Sequence, residues 1–278
     1  MKLIDVKPIH CQRVVNEMAD KNYKHGTIRS TIGVLSVLFW DALENRIIDF
    51  TPVTKSGVKN PLQFSREVDF LSLDEEIKLL EASEGHLYHE QFAFVLETGV
   101  RVGELTGLRW QDVDLEAREI SIRQNMYYLY GEGQWVITTP KTRKGVRTIK
   151  LTDKAYTILL KVKNRGKLWK NTTPETMRDL VFLNKDGMPI TDNAYNIVLK
   201  RRCKWANIHV VSMHDLRHAM ATRFIESSND YKFLSEMLGH SSIKTTMDIY
   251  VHQTEDSKKA AISTFNNYMR DHIDGIAL

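Results

Sequence analysis

Between Asp49 and Pro61 the chain reads Asp-Phe-Thr-Pro-Val-Thr-Lys-Ser-Gly-Val-Lys-Asn-Pro. Two prolines and a glycine among small polar residues remove backbone donors and loosen φ, so neither a helix nor a central strand can run through. The chain must therefore fold as a short unit before this stretch and a long one after it. In residues 1–48, Ile9, Val14, Val15 and Met18 recur at helical spacing. A turn is expected around Asn22 to Gly26. A second helix opens at Thr27 or the preceding glycine, with Ile32, Leu35, Leu38, Phe39 and Ala42 on one stripe. Beyond the break, Ser72-Leu73-Asp74-Glu75 reads as a capping box. These signals place a helical unit over 1–58, a linker over 59–68 and a larger domain over 69–278.

The larger domain reads as helices around a few strands. Glu90 to Glu97 is a buried-looking helix broken at Thr98-Gly99, and another helix starts near Arg101. Strands are expected over Glu119 to Tyr130, Gln134 to Thr139 and Val146 to Leu151, with turns at Gly131 to Gly133 and Lys144-Gly145. A short strand is expected over Asp179 to Leu183. Helices follow from Thr152, from Thr191 to Trp205, from Ser212, over Asp230 to Leu238, and from Ser241 or Ser242 towards Tyr250. A last amphipathic helix spans about 256–271, with Ala260, Ile262, Phe265 and Tyr268 or Met269 on its apolar side. The fold class is mainly α with a small three-stranded antiparallel sheet (α+β).

Composition excludes more than it selects. The net charge is +4, with 9 Lys and Arg against 6 Asp and Glu in residues 1–65 and 30 against 29 in the rest. Any nucleic-acid contact must therefore come from local clusters. Lys24 and Arg29 in the short unit, Arg143, Lys144 and Arg147 together, and Arg201 are the candidates. No apolar run approaches the ~20 residues that span a bilayer. The first residues are not a signal peptide, because no apolar core follows them. Cys11 and Cys203 lack metal-type spacing and read as reduced thiols of a cytoplasmic protein. Asp112 and Asp114 read as turn residues before a strand rather than a metal pair.

The chemistry lies in short phrases. Arg101 sits in Thr98-Gly99-Val100-Arg101-Val102-Gly103-Glu104-Leu105, and Lys141 in Thr139-Pro140-Lys141-Thr142-Arg143-Lys144. His214 and Arg217 form His214-Asp215-Leu216-Arg217-His218. His240 follows Leu238-Gly239, and Tyr250 closes Met247-Asp248-Ile249-Tyr250. An arginine fork stays charged and bonds phosphate oxygens bidentately. Arg101 stands where a helix begins, which adds backbone donors for an anion. His214 and Arg217 are three apart, so one helix face presents both. Taken singly, Arg101 reads as a solvated charge, His214 as a satisfied core histidine and Tyr250 as one of ten tyrosines that pack.

The order and spacing of all the phrases reverse that reading. They resemble the tyrosine recombinase, or lambda-type phage integrase, family, strongly over about residues 66–255 and more weakly over 1–60. The resemblance implies a site-specific DNA strand transferase without metal, ATP or other cofactor. Arg101, His214, Arg217 and His240 would clamp the phosphate. Tyr250 would attack it to form a 3′-phosphotyrosyl intermediate. Lys141, with Lys144 as the nearest rival, would protonate the leaving 5′-oxygen. Glu104 and Asp215 are expected to orient Arg101 and the helix around His214. The implied partners are double-stranded DNA bearing attachment or core-type sites, further copies of the chain in a synaptic tetramer, and an excisionase or host DNA-bending protein. No membrane is involved. The family's clamping domain has four or five helices, and this chain begins near its middle, so at least one helix is expected to be missing. Two rival functions are a type IB topoisomerase and a DNA-binding accessory protein without efficient catalysis.

Overall fold

The computed structural model describes residues 1–54, 57–62, 71–140, 145–166, 173–240, 242–243, 246–247, 262–263, 265–267 and 269–270. The chain divides into two compact units, Met1–Asp69 and Phe70–Leu278.

In the first unit, helix α1 spans Pro8–Asp20 and α2 spans His25–Glu44. Pro8 occupies the first turn of α1, where its missing N–H costs nothing. Helix α2 starts two residues before Thr27 and includes Gly26. Cys11 and Val15 pack against Ile28, Phe39 and Ala42, and Ile32 and Leu35 line the same side. Leu38, expected on that stripe, is 48% exposed. It lies about 100° around the helix from Phe39, which takes the inward position. The stretch after α2 is more than a tether. Val53 and Val58 are buried in this core, and the Gln12 side chain bonds both the N–H and the carbonyl of Lys59. The breakers stop the helix, but the chain then folds back over α1.

In the second unit, α3 spans Leu73–Ser83, α4 His89–Thr98 and α5 Val102–Gly107. The capping box at Ser72 forms as the sequence indicates, with Glu75 and Ser72 each accepting the other's backbone N–H. Helix α4 is the centre of the core: Phe92, Ala93, Phe94, Val95 and Leu96 are all buried. Helices α6 (Asp153–Gly166), α7 (Asp192–Trp205), α8 (Met213–Ser228) and α9 (Tyr231–Leu238) follow. Helices α8 and α6 both pack against α4, and α7 against α3.

The strands are arranged differently from the sequence expectation. Strands β1 (Val113–Asp114), β2 (Glu119–Ile122) and β5 (Arg147–Lys150) form one antiparallel sheet in the order β1-β2-β5. Strands β3 (Asn125–Leu129) and β4 (Gln134–Thr138) form a separate hairpin. The continuous strand expected over Glu119 to Tyr130 is thus two strands in different sheets, and β5 pairs with β2 rather than with β4. The break falls at Arg123-Gln124, where the Gln124 side-chain amide donates to the Gly107 carbonyl at 2.6 Å. Beyond it, β3 lies against α5. Ile120, Ile122 and Met126 all point inward and share one phase, so alternation alone runs across the break. The expected strand at Asp179 to Leu183 is reduced to a single bridge between Arg109 and Leu180.

Candidate active site

Three helix ends build the site. Helix α4 stops at Gly99, whose φ of 64° lies in the left-handed region that glycine occupies without strain. A Cβ there would also come within 2.8 Å of Leu238. Two residues on, Arg101 is the N-cap of α5, with an extended backbone. Glu104 closes the first turn by accepting the Arg101 N–H at 2.9 Å, and it takes the Arg101 guanidinium at 2.8 Å. The sequence leads to the expectation that Glu104 orients Arg101, and the two side chains are in direct contact. The Arg101 side chain is 39% exposed. It lines an open cavity of about 1030 Å³ together with Tyr128, Trp135, Gly239 and His240. It also lines an adjoining depression of about 370 Å³ that contains His214 and Arg217.

Helix α8 starts from a second capping box. Ser212 Oγ and the Ser212 N–H both bond the Asp215 carboxylate at 2.7 Å, which ties Asp215 to the helix start beside His214. One turn later Arg217 is 2% exposed. It donates to the Gly99 carbonyl at 2.6 Å, to the Leu238 carbonyl at 2.7 Å and to His240 Nε2 at 3.2 Å. The His214 and His218 rings meet edge to face at 4.4 Å.

Helix α9 ends at Gly239, again left-handed with a φ of 65°, and His240 follows. The tautomer of His240 follows from its partners. Arginine can only donate, so Nε2 accepts from Arg217; Nδ1 then carries the proton and donates to Thr246 Oγ1 at 2.8 Å. Electrostatics agree. Burial, then the Arg217 and Arg101 charges with smaller contributions from His218 and Arg147, push His240 down to about 4. The His214 imidazole is lowered too, by desolvation and then by Arg217, with Arg101 adding to this and Asp215 partly opposing it. Both histidines are neutral near pH 7, so the fixed charge of the site is carried by arginine.

Arg147 does not sit where a DNA contact was expected. Its side chain is 6% exposed. It points inward and grips both Glu104 oxygens at 2.8–2.9 Å. Burial works against ionisation of Glu104. The hydrogen bonds and charge of Arg147, then the Arg101 N–H and charge, outweigh burial and hold the carboxyl at about 2. A lone basic residue in a basic stretch reads as a surface charge; the missing signal was the buried partner 43 positions earlier. Thr246, the partner of His240, was missed as well. It is fully buried, and its place four residues before Tyr250 was the only sequence hint.

The remaining candidates divide clearly. Lys141, Arg143, Lys144 and Tyr250 lie outside the described residues. Lys24 and Arg29 are exposed at the start of α2 in the first unit, and Arg201 is exposed on α7. No cluster of metal-ligating side chains occurs among the described residues, and no helix among them is long and apolar enough to cross a membrane. Asp112 is 8% exposed and faces Arg123 at 3.4 Å.

The chain is similar to known proteins. The family model described as "Phage integrase family" matches residues 69–257. A XerC-like tyrosine recombinase of Caldanaerobacter subterraneus subsp. tengcongensis is 27% identical, covering 96% of this chain and 72% of its own. The ICEBs1 integrase of Bacillus subtilis is 30% identical over 75% of this chain, which spans only 54% of that protein's length. Among solved structures, the Tn1549 transposon integrase in complex with transposon right end DNA superposes with a TM-score of 0.78. It is 25% identical and covers 95% of this chain and 87% of its own.

Proposed function

Because this chain belongs to the phage integrase family, we propose that it is a site-specific DNA recombinase that cuts and rejoins strands through a covalent protein–DNA intermediate. The observation that carries the reading is the place of Arg101 where an open cavity shared with His240 adjoins a depression lined by His214 and Arg217. A phosphodiester in that cavity would meet the half-exposed Arg101 guanidinium, with the buried Arg217 adding its charge from behind while it holds the Gly99 and Leu238 carbonyls. Such preorganised donors stabilise charge that develops on non-bridging oxygens as phosphorus is attacked. The neutral His214 imidazole can donate to the same oxygens without adding charge, while His240, with Nε2 on Arg217 and its Nδ1 proton on Thr246, fixes the Arg217 fork. Tyr250 supplies the nucleophile, and Lys141 protonates the departing 5′-oxygen. The phosphotyrosyl bond conserves the energy of the phosphodiester, so rejoining needs no nucleotide.

Double-stranded DNA is the substrate, and strand exchange needs two duplexes. That calls for a tetramer of this chain at two paired sites, assembled on DNA, with an excisionase or DNA-bending protein setting direction. Ile262 and Phe265, in the last described helical segments, are 62% and 57% exposed. Apolar side chains so open to solvent suit contact with a neighbouring protomer. The topoisomerase and accessory-protein readings are not favoured, because the similar proteins are named integrases and recombinases. The test is a nicked attachment-site duplex in which cleavage releases a short fragment and traps the covalent complex. Adduct formation in excess EDTA is the expected result. Tight binding with no adduct would support the accessory protein, and relaxation of plasmids lacking the site would support the topoisomerase.

A further inference from the structure

Three consecutive carbonyls at the end of α9 each receive a guanidinium. Arg147 Nε donates to Met237 at 2.6 Å, Arg217 to Leu238 at 2.7 Å and Arg101 to Gly239 at 3.4 Å. The last carbonyls of a helix lack intrahelical donors and carry the negative end of its dipole, so cations belong there. These three arrive from different elements, namely strand β5, helix α8 and the start of α5, and the next residue is His240. Arg147 also holds both Glu104 oxygens, and Glu104 holds the backbone and side chain of Arg101. One unbroken series of contacts thus runs from Arg101 through Glu104 and Arg147 to the turn that presents His240. A planar fork spreads its donors over three nitrogens and so reaches two carboxylate oxygens and a separate carbonyl in one plane, whereas a lysine ammonium radiates its three from a single point.

We propose that Arg147 is a positioning residue: by bridging Glu104 to the end of α9, it sets the Arg101 guanidinium and the His240 imidazole in one frame before DNA arrives. The inference rests on the strand-transfer reading above. Arg147 itself stays off the phosphate, because its fork is spent inside the protein.

Two variants test this. Arg147→Lys keeps the buried charge compensated. The double variant Glu104→Gln with Arg147→Gln removes both charges, so no unpaired ion is left if the single change is poorly folded. Each is assayed for DNA affinity, for adduct formation on the nicked duplex, and on the same duplex with a methylphosphonate at the scissile position. That neutral group has lost one charged oxygen and depends less on a well-placed guanidinium. Affinity should stay within about twofold of wild type. Adduct formation should drop roughly 10²-fold, as for loss of a transition-state donor, and the methylphosphonate should recover most of it. A second readout needs no cleavage: the His240 imidazole, faced by Arg217, Arg101, His218 and Arg147, is titrated by NMR. In Arg147→Lys, which keeps the positive charge near the ring, the imidazole midpoint should still rise from about 4 as the ring shifts relative to Arg217 and Arg101. Wild-type adduct rates in the folded variants overturn the proposal. So does a loss that the methylphosphonate does not recover together with an unmoved His240 titration, which is what a purely structural ion pair gives. If wild type itself forms no adduct, the strand-transfer reading fails, while the histidine titration still decides whether Arg147 positions the site.

Discussion

Glu104→Gln should remove a pH-dependent part of the stability of the second unit. The substitution keeps the shape of the side chain and deletes one buried negative charge, which Arg147 and Arg101 surround at 2.8–2.9 Å. The folded carboxyl titrates at about 2 against an ordinary 4.5. A depression of that size is worth about 3 kcal/mol at ~1.4 kcal/mol per unit. Because the folded value is the lower one, the unfolded chain takes up its proton first as pH falls. The stabilisation is therefore whole above about pH 5 and drains away from 4.5 towards 2; by pH 3 about 2 kcal/mol has gone. His240, lowered to about 4 from 6.5, drains stability in the same direction over a higher window. Wild type and variant share it, so the difference between them isolates Glu104. Equilibrium urea unfolding at a series of pH values from 7 to 3 is the assay. Wild type should exceed the variant by about 3 kcal/mol at pH 7, and the gap should close to about 1 kcal/mol at pH 3. Parallel stability curves would refute the reasoning, because they would mean that the carboxylate is not held ionised by its arginines.

Three further outcomes are expected. Gly99→Ala should cost about 2 kcal/mol or more, since the alanine must adopt a left-handed φ and its Cβ meets Leu238 at 2.8 Å; chemical denaturation checks it, and a neutral effect would mean that α4 can end another way. A bridging 5′-phosphorothiolate, whose sulfur leaves without a proton, should rescue cleavage by Lys141→Ala and not by Lys144→Ala; the reverse pattern identifies Lys144 as the acid. Lys24→Ala and Arg29→Ala should each weaken binding to every duplex and lower the slope of log affinity against log salt by about 1; an unchanged slope takes that residue off the DNA.

Much of the scaffold was legible because it is written locally. Ser72 with Glu75, Ser212 with Asp215, and Thr191 each announce a helix start within four residues, and Gly99 and Gly239 announce the ends. Those same punctuation marks place Arg101, His214, Arg217 and His240, so the site came with the caps. What stayed hidden depends on distant pairing. The inward phase shared by Ile120, Ile122 and Met126 concealed the break at Gln124, whose partner Gly107 lies 17 positions away. The burial of Arg147 depends on Glu104, and charge clusters in sequence carry no mark of which member turns inward. The burial of Val53 and Val58 stayed hidden because the breakers around them report only that the helix stops, not that the chain returns to α1.

The most direct test of the account is to find which atom takes the DNA. The chain is incubated with the nicked duplex in EDTA, the adduct is digested with protease and nuclease, and the modified peptide is sequenced by mass spectrometry. The account predicts a 3′-phosphate esterified to Tyr250, a free 5′-hydroxyl on the released strand, and no adduct from Tyr250→Phe although that variant still binds DNA. An adduct on another residue, a 5′ linkage, or covalent product persisting in Tyr250→Phe would contradict it.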